Sequence, residues 1–129
     1  MLLEDIEANF KKANELYFRR DYITAYEILD EFPPEITNFM NVLLFKAELA
    51  TALKKYEEAE GLIRKIEEAI EDLEERIRWF NINFDEEERK LLRELIESYK
   101  SRLGLIEKEL EEEKISANRN ALLEQQLEE

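Results

Sequence analysis

Cysteine and histidine occur nowhere in the 129 residues. Their absence excludes a disulfide framework, a thiolate nucleophile, an imidazole base and the usual zinc, copper or haem ligands. Two glycines and two prolines leave little material for tight turns, and none of the glycine-rich loops that cradle phosphate. Long hydrophobic runs are missing too: the most apolar stretch, Asn38 to Leu53, spans only about 24 Å as a helix, too short to cross a bilayer. The first residues, MLLEDIEANF, carry no basic n-region, so the reading expects no signal peptide or membrane anchor and a cytoplasmic protein. Positive charge is also scarce. Nineteen Lys and Arg face 33 Asp and Glu, a net charge of −14, which disfavours nucleic acid and anionic membrane as partners.

What is present is helix-forming material. Charged residues make up 40% of the chain, against roughly 25% in an average globular protein, and Ala, Glu, Lys, Leu, Ile and Arg dominate. The expectation is a single all-α domain over residues 1 to 129. Acidity is concentrated late: residues 57 to 129 hold 23 of the acidic side chains. Many sit at helical neighbour spacing, such as Asp72 and Arg76 or Glu60 and Arg64, and read as a solvated face. The acidic runs at Asp85 to Glu88 and Glu109 to Glu113 lack the alternating spacing and glycine of a calcium loop. No metal, cofactor or catalytic group is expected. Abundant Glu, Lys and Ile with Gln only at positions 125 and 126 fits a thermophilic source.

Along the chain, Ile6, Phe10, Ala13 and Tyr17 form one stripe of an amphipathic helix. Tyr22, Ala25, Tyr26 and Leu29 form a second, stopped by Pro33 and Pro34. Thr37 or Asn38 is the expected N-cap of the next helix, whose apolar positions run almost all round it and place it centrally. From Tyr56 the spacing changes to a heptad: Ala59, Ile63, Ile66, Ile70, Leu73, Ile77 and Phe80. After Asn81 to Phe84, the expected loop, Asp85 with Glu88 reads as a capping box. A second heptad follows at Leu92, Ile96, Tyr99, Leu103, Ile106 and Leu110, broadened by Leu91, Leu95 and Leu105. Together these predict an antiparallel hairpin over 57 to 110. Gly104 is expected to permit close packing or a slight bend. Residues 111 to 129 form a tail helix that frays, folds back as a cap, or contacts another copy. Trp79, Phe80, Ile82 and Phe84 cluster at the hairpin tip, as a contact patch or as a cover over the hairpin core.

A fixed offset of 34 residues relates the first half to itself. Ala13 pairs with Ala47, Tyr22 with Tyr56 and Ala25 with Ala59, while Ile28, Leu29 and Phe32 pair with Leu62, Ile63 and Ile66. With DYITAYEIL from Asp21 and KYEEAEGLI from Lys55, residues 6 to 73 resemble two tetratricopeptide repeats in tandem. Asn9 and Leu43 stand where the family usually has tryptophan, the prolines come early, and no third repeat follows. The resemblance implies TPR-like helical hairpins continuing into the long hairpin, about five helices in a right-handed α-α array.

It also implies a non-catalytic adaptor or scaffold that binds a peptide or helix of a protein partner. Carried over, the groove falls on Phe10, Asn14, Tyr17 and Phe18 in the first unit and on Leu44, Glu48 and Thr51 in the second. Asn14 matches one position of the family's clamp for acidic chain ends. Phe10 replaces the clamp lysine and Phe45 its second asparagine, so the implied ligand is an apolar segment or helix. The same side chains fit equally a core covered by the protein's own last helix. A structural homo-oligomer, such as a homodimer assembled through the heptad helices and tail, is the alternative reading.

Overall fold

The computed structural model describes residues 2–79 and 85–128, and every regular element among them is a helix. They are α1 (Leu3–Phe18), α2 (Tyr22–Asp30), α3 (Pro34–Thr37), α4 (Met40–Ala52), α5 (Tyr56–Trp79) and α6 (Glu86–Glu128). The all-α expectation holds, with one element more than expected. Pro33 and Pro34 do end α2, but Pro34 then sits in the first turn of α3, where a fixed φ and a missing amide hydrogen cost nothing. The expected N-cap of α4 shifts as a result: Thr37 donates its hydroxyl to the Pro34 carbonyl at 3.0 Å, and Phe39 caps α4 without a side-chain hydrogen bond.

The two turns that close α1 and α4 are built alike. Arg20 and Lys54 are the two non-glycine residues with positive φ among the described residues, at 66° and 62°. Around Arg20, the Asp21 amide donates to Leu16 O at 2.9 Å and the Arg20 amide to Tyr17 O at 3.0 Å. Thirty-four positions on, the Lys55 amide donates to Ala50 O at 2.9 Å and the Lys54 amide to Thr51 O at 3.1 Å. Each is a Schellman turn with a left-handed residue just past the helix. Asp21 then caps α2 by accepting from the Thr24 amide at 3.3 Å, and Asp85 begins α6 by accepting from the Glu88 amide at 2.8 Å.

Packing follows the apolar pattern. Ala13, Ala25, Ala47 and Ala59, the small residues of the 34-residue offset, are all completely buried. Eight α4 residues are buried: Val42, Leu43, Leu44, Phe45, Ala47, Leu49, Ala50 and Thr51. Helices α2, α5 and α6 pack against α4, and α1 reaches it through Phe10 and Tyr17, whose rings each lie 5.7 Å from that of Phe45. Helices α5 and α6 run antiparallel, since Lys114 pairs with Glu60 near one end and Lys100 with Glu74, at 3.0 Å, toward the other. Their seam buries Ile63, Ile66 and Ile70 against Leu103, Ile106 and Leu110.

Several expectations need correction. Leu91, Leu95 and Leu105 do not widen this seam; they are 65%, 45% and 68% exposed, because only the stripe facing α5 and α4 meets a neighbour. Gly104 serves no close approach, since a Cβ there would meet nothing within 4 Å. The tail does not fold back. It continues α6 as one helix to Glu128, with Asn118 to Leu127 exposed throughout. Glu60 pairs with Lys114 across the hairpin, whereas Asp72 and Arg76 form the expected pair within α5 at 3.0 Å. The expected loop at Asn81 to Phe84 lies outside the described residues.

Two outcomes test this packing. Ala25→Trp and Ala59→Trp each overfill a closed site and should destabilise the fold by about 1 to 3 kcal/mol in urea melts. Lys54→Gly should stabilise it by about 0.5 to 1 kcal/mol, because relief of the left-handed strain exceeds the entropy cost of glycine.

Candidate functional site

The residues implied as a groove lie where α1, α4 and α6 converge, but they divide sharply. Leu44 and Thr51 are completely buried, and the Thr51 hydroxyl is spent on Ala47 O at 2.8 Å. They belong to the core rather than to an open surface. The reason is a long-range one: α2, α5 and α6 all pack against α4 and leave these two residues no open face. Asn14 is half-buried and donates its side-chain amide to Phe10 O at 2.9 Å, which ties it to its own helix. Phe18 is 82% exposed, with its ring 5.9 Å from that of Tyr17.

Phe10 lines an open apolar groove between α1 and the α3–α4 segment. The cavity measures about 530 Å³, and its apolar walls are Leu3, Ile6, Phe10, Ile36, Phe39 and Val42. Leu3 and Phe39 are 68% and 58% exposed. Asn14 and Asn41 supply polar rim groups, and Glu7 and Lys11 offset each other in charge. This groove is partly new. Leu3 and Ile6 continue the α1 stripe that contains Phe10, so the sequence held that signal. Ile36 carried none, because a proline pair read as a stop gives no hint that the next turn points a side chain at α1.

Tyr17, Glu48, Arg102 and Glu109 meet further along the same face. Burial raises the Glu48 carboxyl above its ordinary range; Arg102 opposes the rise and Glu109 adds to it. Glu109 is itself raised by burial and by Glu113 and Glu112 beside it. The Tyr17 hydroxyl is raised by burial, then by Glu48. Arg102 donates to Asn41 Oδ1 at 3.4 Å, so one guanidinium serves both ends of the face. The sequence named Tyr17 and Glu48 but not Arg102 or Glu109, whose place depends on how α6 docks.

A second cavity, about 300 Å³, lies among α2, α4 and α5 and contains Tyr26, Asp30, Lys46 and Glu58. Tyr26, Asp30, Lys46 and Glu58 are paired within it. Lys46 pairs with Asp30 at 2.6 Å, the Tyr26 hydroxyl donates to Glu58, and Lys55 sits 4.5 Å from the Tyr26 ring centre. These contacts join the helices of the two halves. At the hairpin tip, Trp79 is 75% exposed and does not cover the hairpin core; Phe80, Ile82 and Phe84 lie outside the described residues.

Among the described residues, no group of three acidic side chains is placed to hold a metal ion, and no helix is long and apolar enough to cross a membrane. Comparison with family models, curated proteins and solved structures finds no match to this chain. The tetratricopeptide resemblance rests on the 34-residue offset in this sequence alone.

The raised carboxyls fix the sign of a pH effect. Glu48, Glu109 and Glu107, the last lifted by burial and by a hydrogen bond with Glu67, bind protons more tightly folded than unfolded. Their contribution to stability is full below the ordinary carboxylate range and is lost as pH rises through the raised values. Urea melts should show higher stability near pH 5 than near pH 8, and Glu48→Gln should narrow that difference.

Proposed function

We propose that this chain is a non-catalytic interaction adaptor, acting in the cytoplasm, that holds an amphipathic helix of a protein partner against α1 and the start of α4. The observation that carries the reading is the apolar groove lined by Leu3, Ile6, Phe10, Ile36, Phe39 and Val42. A chain with 40% charged residues and a net charge of −14 has ample polar material to cover its surface. An open patch of large apolar side chains on such a molecule is the usual mark of a docking site. Helix α1, at 16 residues, offers a wall about 24 Å long, which suits a partner helix of about four turns laid along it.

The tetratricopeptide-like reading is supported by the recurrence at 34 residues of buried alanines and of the Schellman turn. Units of this kind present their first helices to ligands. In this chain α1 keeps such a face, while α6 takes the place beside α4.

A second reading, a structural homo-oligomer, draws on a different surface. Ile115, Leu122, Leu123 and Leu127 are 49%, 61%, 52% and 87% exposed on the α6 tail. The buried heptad seam is already occupied within the chain, so this reading draws on the exposed tail.

A leucine-faced amphipathic peptide of about sixteen residues should bind the purified chain, and Phe39→Asp should weaken that binding at least tenfold by placing a charge in the groove. Fluorescence anisotropy measures both. Binding indifferent to Phe39→Asp, or no binding at all, would remove the adaptor reading. Sedimentation that shows a dimer abolished by deleting residues 115 to 129 would favour assembly instead.

A further inference from the structure

Resting on the adaptor reading of the groove beside α1, we propose that in the free protein this groove holds residues 115 to 127 of a second copy of the chain, a contact that a partner helix must displace. Two separate features meet here. One is the open apolar groove lined by Phe10, Phe39 and Val42; the other is the end of α6, whose apolar side chains stand in solvent.

The end of α6 is a helix of the kind the groove takes. Ile115, Leu122, Leu123 and Leu127 are exposed, and at 100° per residue they fall within an arc of about 140°, so they make one face. A helical segment of about 13 residues is marginal in water unless such a face is packed. Its length, about 20 Å, fits within the wall of about 24 Å that α1 offers. Charge agrees with the fit. Residues 107 to 113 set Glu107, Glu109, Glu111, Glu112 and Glu113 against Lys108 alone, whereas residues 115 to 127 carry one base, Arg119, and one acid, Glu124. The groove is balanced in the same way by Glu7 and Lys11. Between two molecules that each carry a net charge of −14, a neutral helix on a neutral groove is a contact free of local repulsion.

The course of α6 decides which copy supplies the helix. Arg102 meets Asn41 at the start of α4, and the Tyr56 hydroxyl, just past the end of α4, donates to Glu113 O at 3.4 Å. Helices α4 and α6 therefore run in the same direction, and α6 passes the groove near Arg102 and then leaves it behind. Ile115 lies about 20 Å further along the axis and Leu127 about 37 Å. Because α6 is one helix to Glu128, its last turns do not reach the groove of their own chain. A second copy turned end for end reverses the offset. With the two-fold axis level with Glu111 and Glu112, position 121 of each copy comes level with Arg102 of the other. Each tail then lies beside the other copy's groove, a closed exchange in which both contacts form together. Undocking a tail still costs far less than unfolding α4, so the tail remains the first segment to open.

Sedimentation of the full chain over a range of concentrations should show a reversible dimer. Two substitutions at exposed positions separate the halves of the contact: Leu123→Asp disables the tail and Phe39→Asp the groove. Each variant alone should dimerise at least tenfold more weakly than the unaltered chain, with its helical content unchanged by circular dichroism. Mixed in equal amounts, the two should form a mixed dimer at concentrations where neither pairs with itself, because the intact tail of one meets the intact groove of the other. The leucine-faced peptide, followed by anisotropy, should bind the Leu123→Asp chain at least threefold more tightly than the unaltered dimer, whose grooves are filled. A full chain that stays monomeric yet binds that peptide would overturn this inference and leave the adaptor reading standing. A dimer weakened by Leu123→Asp but unchanged by Phe39→Asp would be a tail-to-tail assembly and would overturn it as well, as would failure of the two variants to pair. A chain that neither dimerises nor binds the peptide would overturn both.

Discussion

The structure depends on the burial of α4. A helix with apolar residues on almost every side cannot lie on a surface without exposing one of its faces to water. Here α2, α5 and α6 pack around it, and Phe10 and Tyr17 of α1 close on Phe45. The four alanines at positions 13, 25, 47 and 59 are completely buried because helices that crowd one centre must approach one another closely. Larger side chains such as Leu29, Leu44, Leu49 and Ile66 then fill what the alanines leave. The turns at Arg20 and Lys54 accept a left-handed residue because each must reverse the chain within a few residues to return a helix to that centre.

Electrostatics works against the same assembly and makes it conditional. The second half of the chain is strongly acidic, and α6 brings that acidity onto α4 and α5. Glu107 meets Glu67, and Glu109 meets Glu48, while the ion pairs of Lys114 with Glu60 and Lys100 with Glu74 offset part of the repulsion. Partly exposed pairs of this kind contribute only about 0 to 1 kcal/mol each, so α6 is held chiefly by its apolar seam.

The sequence made some of this legible and hid the rest for physical reasons. The heptad of α5 was readable because each seam position faces one neighbour, so periodicity alone names Ile63, Ile66 and Ile70. The first three seam leucines and isoleucines of α6 that are well buried, Ile96, Leu103 and Ile106, were readable for the same reason. Leu91, Leu95 and Leu105 misled because an apolar side chain records only that it could be buried, not that a neighbour lies there. Leu44 and Thr51 appeared as groove residues because position in a repeat says nothing about a later helix lying across it. The α3 turn was hidden by the two meanings of proline, which ends one helix and begins another. Arg102 and Glu109 carried no signal, since their role comes from an approach between helices some 50 positions apart in sequence.

The functional reading follows from how unevenly α4 is enclosed. Helices α2, α5 and α6 pack against it, and Leu44, Leu49 and Thr51 are closed off completely. Its start, with Phe39, Asn41 and Val42, borders the groove beside α1. One element thus supplies both the centre of the fold and one edge of the apolar groove. Native-state hydrogen exchange tests this most directly, because amides on the central element should open only when the whole molecule unfolds. The account predicts that Leu43 to Ala50 exchange with the free energy of global unfolding, while Asn118 to Leu127 exchange orders of magnitude faster. Exchange of the α4 amides through a local opening, with the α5–α6 hairpin still protected, would contradict it.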